Sequence, residues 1–508
     1  MNRLLLISLL LFIFVTSCYE EMEFAPHPDG ISASFNLNGK PTACDSEQLF
    51  MLYPVEHFGN FSAVLNCQPN FTIYIDGKYI EDGDSCHFGV IGKETESIIE
   101  IVNPSGKKSN YRLFFTTLPV VKFEYNYKKI LDEPKGPSRF SMITHDSDFS
   151  AKCCGIETRG GTANRRPKKS FGFEFWNNYE CRESRDTSLL DMYTDDDWIL
   201  DAVYNDRSRM RNRVSFDIWD MMQRDALSRN CDVLYSSVKG NYVELFLNQE
   251  YQGLYCLSER VEGKMLGITP ERSGQQGYLY KSEGWNDVTR LKELPDTTVD
   301  FENKWHDWEQ KLPDPDQQLV WKPLYRFVDF MANSSDKEFC RHVNEYLVLD
   351  QVIDFYILIN LIYGIDNVGK NYMLASRSAQ SPFYILPWDM DATWGRNHRG
   401  DETKHNDVVK FRVFERLMKL NPSEFKQRLK SRYKSLREDK LSDKSLMAIF
   451  ENYAKLLVES GAHQRNNSVW DEEKSDIQQE LEYISDWLSM HSQYLDNYID
   501  TLELAETN

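Results

Sequence analysis

Asp366-Asn-Val-Gly-Lys-Asn371 sets a carboxylate and a carboxamide five residues apart, and Pro387-Trp-Asp-Met-Asp391 follows with two more carboxylates. Oxygens of this kind are the hard ligands that Mg²⁺ prefers. An Asp, an Asn five residues on, and a further Asp beyond a short β-like pair (Tyr372-Met-Leu, then Phe383-Tyr-Ile-Leu) form the layout of a phosphoryl-transfer loop. In that chemistry the first Asp orients the acceptor hydroxyl, while the Asn and the later Asp hold the metal that bridges the phosphates. Such transfer is mainly positioning plus neutralisation of developing charge. Taken alone, the D-x-x-x-x-N spacing is common in surface loops, and Asp389 and Asp391 serve equally well as turn or cap residues. Competing chemistries find less support. No Cys/His cluster has zinc spacing, no G-x-S-x-G is present, and the ten histidines are dispersed. His398, in Gly395-Arg-Asn-His-Arg-Gly, reads as a solvated loop residue.

These residues need elements to place them. Val343 to Tyr363 is apolar on nearly every face, as in a central buried helix that delivers Asp366 at its end. Ahead of it, residues 122–265 mix strands and a helix. Lys169-Ser-Phe-Gly-Phe-Glu-Phe alternates as a strand, and Met210, Val214, Ile218 and Met221 recur at helical spacing within 207–222. Tyr242-Val-Glu-Leu-Phe-Leu, Asn248-Gln-Glu-Tyr-Gln-Gly and Leu254-Tyr-Cys-Leu read as a β-hairpin. Lys168 and Lys169 must point to opposite faces, so one of the two should be solvated. Residues 31–121 carry short alternating segments between Asn-Gly, Asp-Gly and Pro-Ser-Gly turns, the pattern of a small β-sandwich. That region lacks tryptophan, hence the usual indole platform for sugars, and reads as a spacer or binding module. Ile477, Leu481, Ile484, Leu488 and Leu495 form a core stripe on a tail helix.

With 508 residues, about three domains are expected. Acidic residues outnumber basic ones by 79 to 59, a net charge of -20, which argues against a nucleic-acid partner. Residues 1–17 read as a signal peptide: Arg3, an apolar run from Leu4 to Val15, then Thr16-Ser17. Val15-Thr-Ser-Cys18 resembles a bacterial lipobox, making Cys18 the expected lipidation site and 18–30 a tether. Glu20, Glu21 and Glu23 just after it resemble a surface-export signal. The expected location is outside the cytoplasm, membrane-anchored, in the periplasm or at the cell surface. Ten cysteines less the lipidated one leave nine, so at least one thiol stays unpaired in an oxidising compartment.

The ordered blocks resemble the CotH kinase family, named for spore coat protein H, a group of secreted atypical kinases. Thr158-Arg-Gly-Gly-Thr162 with Lys168-Lys-Ser-Phe171 is similar to its R-G-x-x-[ST] … K-K-x-[YF] element. Asp195 to Asn212 (DDDWILDAVYNDRSRMRN) is similar to its D-D-W … R-N block. Val243 to Tyr255, ending at Ser258-Glu259, looks like its central hairpin, and Lys370-Asn-Tyr with Trp388 to Gly395 completes the set. The familiar kinase loop departs here: Tyr363-Gly-Ile replaces His-Arg before Asp366, and Met-Asp follows Asp389 in place of Phe-Gly.

The resemblance implies an α+β, bilobal, atypical protein-kinase-like fold, with a β-rich N-lobe at 122–265 and a helical C-lobe at 266–508, preceded by the β-sandwich. It implies ATP and Mg²⁺ or Mn²⁺ as cofactors. Asp366 would be the catalytic Asp, with Asn371 and Asp389 as metal ligands and Asp391 assisting. Lys168 or Lys169 would bind phosphate. Arg159, Gly160, Gly161 and Thr162 would lie over the phosphates, with Arg211 at the nucleotide and the Glu259 backbone meeting adenine. For Arg211 and its neighbour Asn212, helix packing and capping is an equal alternative. Lys281 reads as structural. The implied activity is transfer of the ATP γ-phosphoryl group to protein Ser/Thr hydroxyls. The alternatives are an inactive kinase-fold scaffold, adhesin or assembly protein, and a nucleotide-dependent transferase of other chemistry.

Overall fold

The computed structural model describes residues 35–503, apart from 162, 180–181, 301–302 and 471–473. The signal peptide, Cys18, the tether and Thr162 of the expected phosphate loop therefore lie outside the described residues. The chain is α+β. It forms two compact units. One contains residues up to Ala202 with Gly240–Glu259 and Leu456–Lys474; the other contains Val203–Lys239, Arg260–Lys455 and Ser475 onward. The contiguous boundaries expected at 122–265 and 266–508 are thus interleaved: the Arg211–Ser228 helix joins the second unit, and the Ala462–Val469 helix joins the first.

In the first unit, residues 35–116 fold into a four-stranded and a six-stranded sheet around a shared core. Glu96–Val102 alternates buried and exposed side chains along its length, and Ile99 and Ile101 are fully enclosed. Period-2 patterning thus becomes one dry face. The next seven strands close into a barrel. It closes where Val120–Phe123 pairs in parallel with Glu244–Leu247. The rings of Phe123, Phe140, Phe173 and Phe175 fill it, with centroids 5.1–5.6 Å apart among them. Each such buried ring contributes roughly 1.5–3 kcal/mol. The hairpin expected at 242–257 is Gly240–Leu247 with Glu250–Ser258. Its turn residues Asn248 and Gln249 have φ of 46° and 65°, the left-handed pair that matches strand twist in a two-residue hairpin. Asn248 accepts from Tyr125 N–H and donates to its carbonyl, both at 2.8 Å, which holds the turn.

In the second unit, the long buried helix expected over 343–363 is divided. Asp336–Tyr346 and Leu349–Leu361 are separate helices, with Leu347 and Val348 extended between them. The apolar pattern ran across the break because Val343, Leu347, Val348 and Leu349 are all buried, although Asn344 and Glu345 of the first helix are exposed. Leu349–Leu361 is buried on every side, and its Asp354 carboxylate meets the Arg432 guanidinium at 2.8 and 3.1 Å. The helix expected at 207–222 begins later, at Arg211, because Asp206 accepts the N–H groups of Ser208 and Arg211 first. Five strands form the sheet of this unit, with Tyr278–Ser282 paired to Tyr372–Ser376 and that strand to Phe383–Pro387. Ile477–Asp500 buries Ile477, Ile484, Leu488 and Leu495, the core stripe expected of it. No helix among the described residues is long and apolar enough to cross a membrane.

Thiol reactivity tests this packing. Burial pushes the Cys44 and Cys154 thiols up to about 12, whereas Cys340 is exposed. Iodoacetamide at about pH 8 should label Cys340 in the native chain and spare Cys44 and Cys154 until denaturant is added, because the thiolate is the nucleophile. Peptide mass spectrometry reads the outcome; equal labelling of Cys44 and Cys340 would contradict the packed core.

Candidate functional site

The second unit brings the acidic segment and the D-x-x-x-x-N loop together. The Leu349–Leu361 helix ends, Tyr363 takes φ 50°, and a short 3-10 turn over Ile365–Val368 carries Asp366. Asp366 is buried, with the Lys370 ammonium 3.7 Å from its carboxylate. Asn371 follows at φ 59° and Asp389 at φ 53°. Left-handed backbone at non-glycine residues costs energy and persists where surroundings impose it. Here the imposing contacts are visible. Asn371 N–H donates to Ser282 O at 3.1 Å, and Trp388 N–H donates to Asn371 O at 3.1 Å. The Asn371 carboxamide nitrogen lies 3.5 Å from Asp389 O. Asp389 itself is exposed, and Asp391 is half-buried.

Two residues that sequence reasoning did not place in the site hold it in shape. Asn367 is fully buried, and its Nδ2 donates to Asn371 O at 3.0 Å and Trp388 O at 2.7 Å. It ties the loop to the acidic segment. A side chain on Gly364 would put Cβ 2.7 Å from Asn367 Oδ1, so glycine there makes room for it. Asn212, for which a functional role and helix capping were equal alternatives, accepts from Met390 N–H at 2.9 Å and so fixes the peptide between Asp389 and Asp391. The only signal for Asn367 was adjacency to Asp366, whereas Asn212 closes the R-N block.

Arg211 does not reach out to a ligand. It is fully buried, and its guanidinium contacts Asp206 at 2.5 Å, Glu480 at 2.9 Å and Thr393 O at 3.1 Å. Burial opposes its charge, but Asp206 and Glu480 outweigh burial and hold its pKa above the ordinary value. In place of the expected nucleotide contact, it braces the segment after Asp391 through Thr393. Helix packing, the equal alternative for Arg211, is what the geometry shows.

The donor set suits a hard cation. Mg²⁺ usually takes one or two carboxylates, with water and substrate phosphate completing its shell. Asp389 offers an exposed carboxylate, and Asn371 a carboxamide on a fixed backbone. Asp366, Asp389 and Asp391 do not form a group with oxygens all within 4.8 Å of one another; among the described residues that description belongs to Asp186, Asp195 and Asp196.

The remaining candidates lie in the first unit. Lys168 is buried, donating to Ala202 O at 2.9 Å, Leu254 O at 2.5 Å and Asn466 Oδ1 at 2.8 Å, with its ammonium 4.5 Å from the Tyr255 ring centre. Phosphate could not meet this ammonium without displacing three oxygens. Lys169 is half-buried and donates to Asn164 O at 2.6 Å, so it reaches the loop after Gly161. The strand begins only at Ser170, so neither lysine stands on it, and the alternation expected of the pair does not apply. Arg159 ends a long strand, Gly160 has φ 96°, and a Cβ on Gly161 would meet open space. The Glu259 carboxylate is buried and accepts from Tyr193 N–H at 2.5 Å.

Replacing Asn367 with alanine should raise the metal concentration for half-maximal activity by roughly tenfold, as is typical when a group that orients a ligand is lost. A metal titration of activity, beside a thermal melt, checks this. An unchanged metal midpoint would remove Asn367 from the site.

A profile of the family described as CotH kinase protein matches residues 156–495. The inner spore coat protein H of Bacillus subtilis (strain 168) is 23% identical over 355 residues, covering 68% of this chain and 87% of that protein.

Proposed function

The chain belongs to the CotH kinase protein family, and from that membership we propose that it is an exported, lipid-anchored kinase that moves the γ-phosphoryl group of ATP to Ser/Thr hydroxyls of protein. The observation that carries this reading is the Asp366/Asn371/Asp389 set, tied together by Asn367 within one unit. On this reading the β-rich and helical parts make a bilobal kinase-like fold. Cys18 anchors the chain outside the cytoplasm.

In the reaction, the acceptor oxygen bonds to the γ-phosphorus as the bond to the β,γ-bridging oxygen breaks and ADP leaves. Asp366 accepts the hydroxyl proton and aims the oxygen lone pair at phosphorus. Asn371 and Asp389, with Asp391 assisting, would hold Mg²⁺ or Mn²⁺. That ion neutralises charge on the phosphates. The residues that the family resemblance assigns to phosphate and base, Lys169, Arg159, Gly160, Gly161 and Glu259, belong to the first unit and would serve the nucleotide from there. The enclosed Lys168 ammonium favours a second reading, a kinase-fold scaffold without transfer.

The test is incubation of the purified full chain with γ-labelled ATP and Mn²⁺ or Mg²⁺. Label on the chain or on a generic protein acceptor, with an adduct mass matching phosphoryl, is the expected result. An adduct matching nucleotidyl would change the chemistry assigned. Absence of both transfer and any nucleotide-induced thermal shift would leave the scaffold.

A further inference from the structure

The helix that delivers Asp366 and the segment that carries Asp389 and Asp391 are tied together a second time, away from the site and within the same unit. Three ties hold the end of the Leu349–Leu361 helix to residues 394–409. Trp394 N–H donates to Ile362 O at 2.8 Å. Val409 N–H donates to Asn360 Oδ1 at 2.9 Å. The third tie runs through His491 of the Ile477–Asp500 helix: its Nε2 faces Asn360 O at 2.6 Å and its Nδ1 faces His405 O at 2.8 Å. Trp394 stands just after Asp391, and Asp366 just after Tyr363, so these ties set the two carboxylate-bearing stretches against each other.

The tail helix is built for this contact. Glu480, Tyr483, Trp487 and His491 recur at spacings of three and four, which puts them on one face. Each meets the loop that follows Asp391. Arg396 reaches Glu480 at 3.4 Å, and its guanidinium lies 3.9 Å from the Tyr483 ring centre. The Tyr483 hydroxyl donates to Gly395 O at 2.6 Å, and Trp487 Nε1 donates to Lys404 O at 3.3 Å. Thr403 N–H donates to Gly395 O at 2.8 Å, folding the loop back so that both its ends lie along the helix. Gly395 has φ 89°, and a side chain there would put Cβ 2.8 Å from Trp487 Cγ, so glycine lets the loop lie this close.

His491 is fully buried, stacked on Trp487 at 4.5 Å and edge-on to Tyr363 at 5.7 Å. A phenylalanine would fill the same space against the same rings; what the histidine adds is its two polar contacts. A neutral imidazole donates through one nitrogen and an imidazolium through both, so the second contact becomes a hydrogen bond as the ring takes up a proton. Burial, and to a smaller degree His405, oppose that proton, and the two carbonyls favour it; the balance holds the pKa below its ordinary value. The other titratable groups close by are Tyr363 and Tyr494, with Asp407 acting on both, and Lys404, which reaches Asp407 at 3.6 Å.

We propose that His491 is a positioning residue for phosphotransfer, the joint that sets the turn carrying Asp366 against the segment carrying Asp389 and Asp391. This rests on the phosphotransfer reading above.

The test compares the full chain with His491→Phe and His491→Gln, reading kcat against pH with γ-labelled ATP and a generic protein acceptor, beside hydrogen exchange followed by peptide mass spectrometry. His491→Phe keeps the stacked ring and removes both nitrogens. It should lower kcat by about tenfold or more, within the roughly hundredfold that a misplacement of about 1 Å costs, and leave KM for ATP and the metal midpoint unchanged. His491→Gln keeps an N–H donor and should restore part of the loss. The parent's kcat should rise as pH falls through a group below the ordinary histidine range, a step absent from both variants. Exchange should quicken in peptides covering 360–366 and 394–409 of His491→Phe. Tyr483→Phe, which removes only the hydroxyl bond to Gly395 O from a half-buried position, should show the same pattern in smaller measure even if His491→Phe fails to fold. Unchanged exchange in either segment, or an unchanged kcat and pH profile, overturns the proposal. So does a loss of activity that follows only the melting temperature and is not restored by glutamine, which would make His491 core packing. A parent that transfers no label defeats the phosphotransfer reading instead, and exchange then decides by itself whether the joint exists.

Discussion

Asp389→Asn should lower kcat/KM for phosphotransfer by about a hundred- to a thousandfold, with the thermal midpoint unchanged. The magnitude is that of removing one group that stabilises developing charge in a preorganised site. Asparagine is the right substitution because Asp389 sits at φ 53°, a conformation asparagine tolerates and most residues do not. Alanine at the same position should lose activity and also about 1–2 kcal/mol of stability to backbone strain. The pair separates the loss of a metal ligand from the loss of local shape. Asp366→Asn should differ again, lowering kcat while leaving the metal midpoint in place, since the part proposed for Asp366 is to aim the acceptor hydroxyl and not to hold the ion. Wild-type turnover in Asp389→Asn at saturating metal would dismiss the assigned role.

Arg211→Met should destabilise the chain by about 3–5 kcal/mol, the range for removing one partner of a buried ion cluster. Asp206, at 4% exposure, and Glu480, at 6%, would be left as carboxylates without their shared cation. Arg396 reaches Glu480 only at 3.4 Å, so it replaces part of the loss at most. Urea unfolding measures the effect. Adding Asp206→Asn and Glu480→Gln to Arg211→Met should recover some of that stability, because neutral amides cost less to bury than carboxylates. An Arg211→Met variant as stable as the parent would mean that the cluster contributes nothing. Activity should fall along with stability, because Arg211 holds Thr393 and through it the segment after Asp391.

Much of this was legible along the chain, for a physical reason that differs from element to element. Alternation in Glu96–Val102 and in Ser170–Phe175 marked strands because a sheet sorts neighbouring side chains to opposite faces. The hairpin over 242–257 was readable, but its turn at Asn248-Gln249 was not, because glutamine is not a residue that left-handed backbone selects. The break at Leu347–Val348 was not readable, since a fully buried helix and a buried extended link carry the same apolar composition.

The candidate site divides in the same way. By itself the sequence determined the family and brought out Asp366, Asn371 and Asp389 as an oxygen-bearing candidate set. These are properties of residue type and of spacing within one segment. Tertiary structure alone decided that Lys168 is the enclosed lysine, because its acceptors come from Ala202, Leu254 and Asn466, far away along the chain. It alone made Asn367 the tie between two loops and Arg211 a brace. It alone packed Phe50 edge-on against Phe114 and Tyr251. Local sequence sets which way a side chain points from its own strand or helix, whereas what it meets there depends on where distant segments pack.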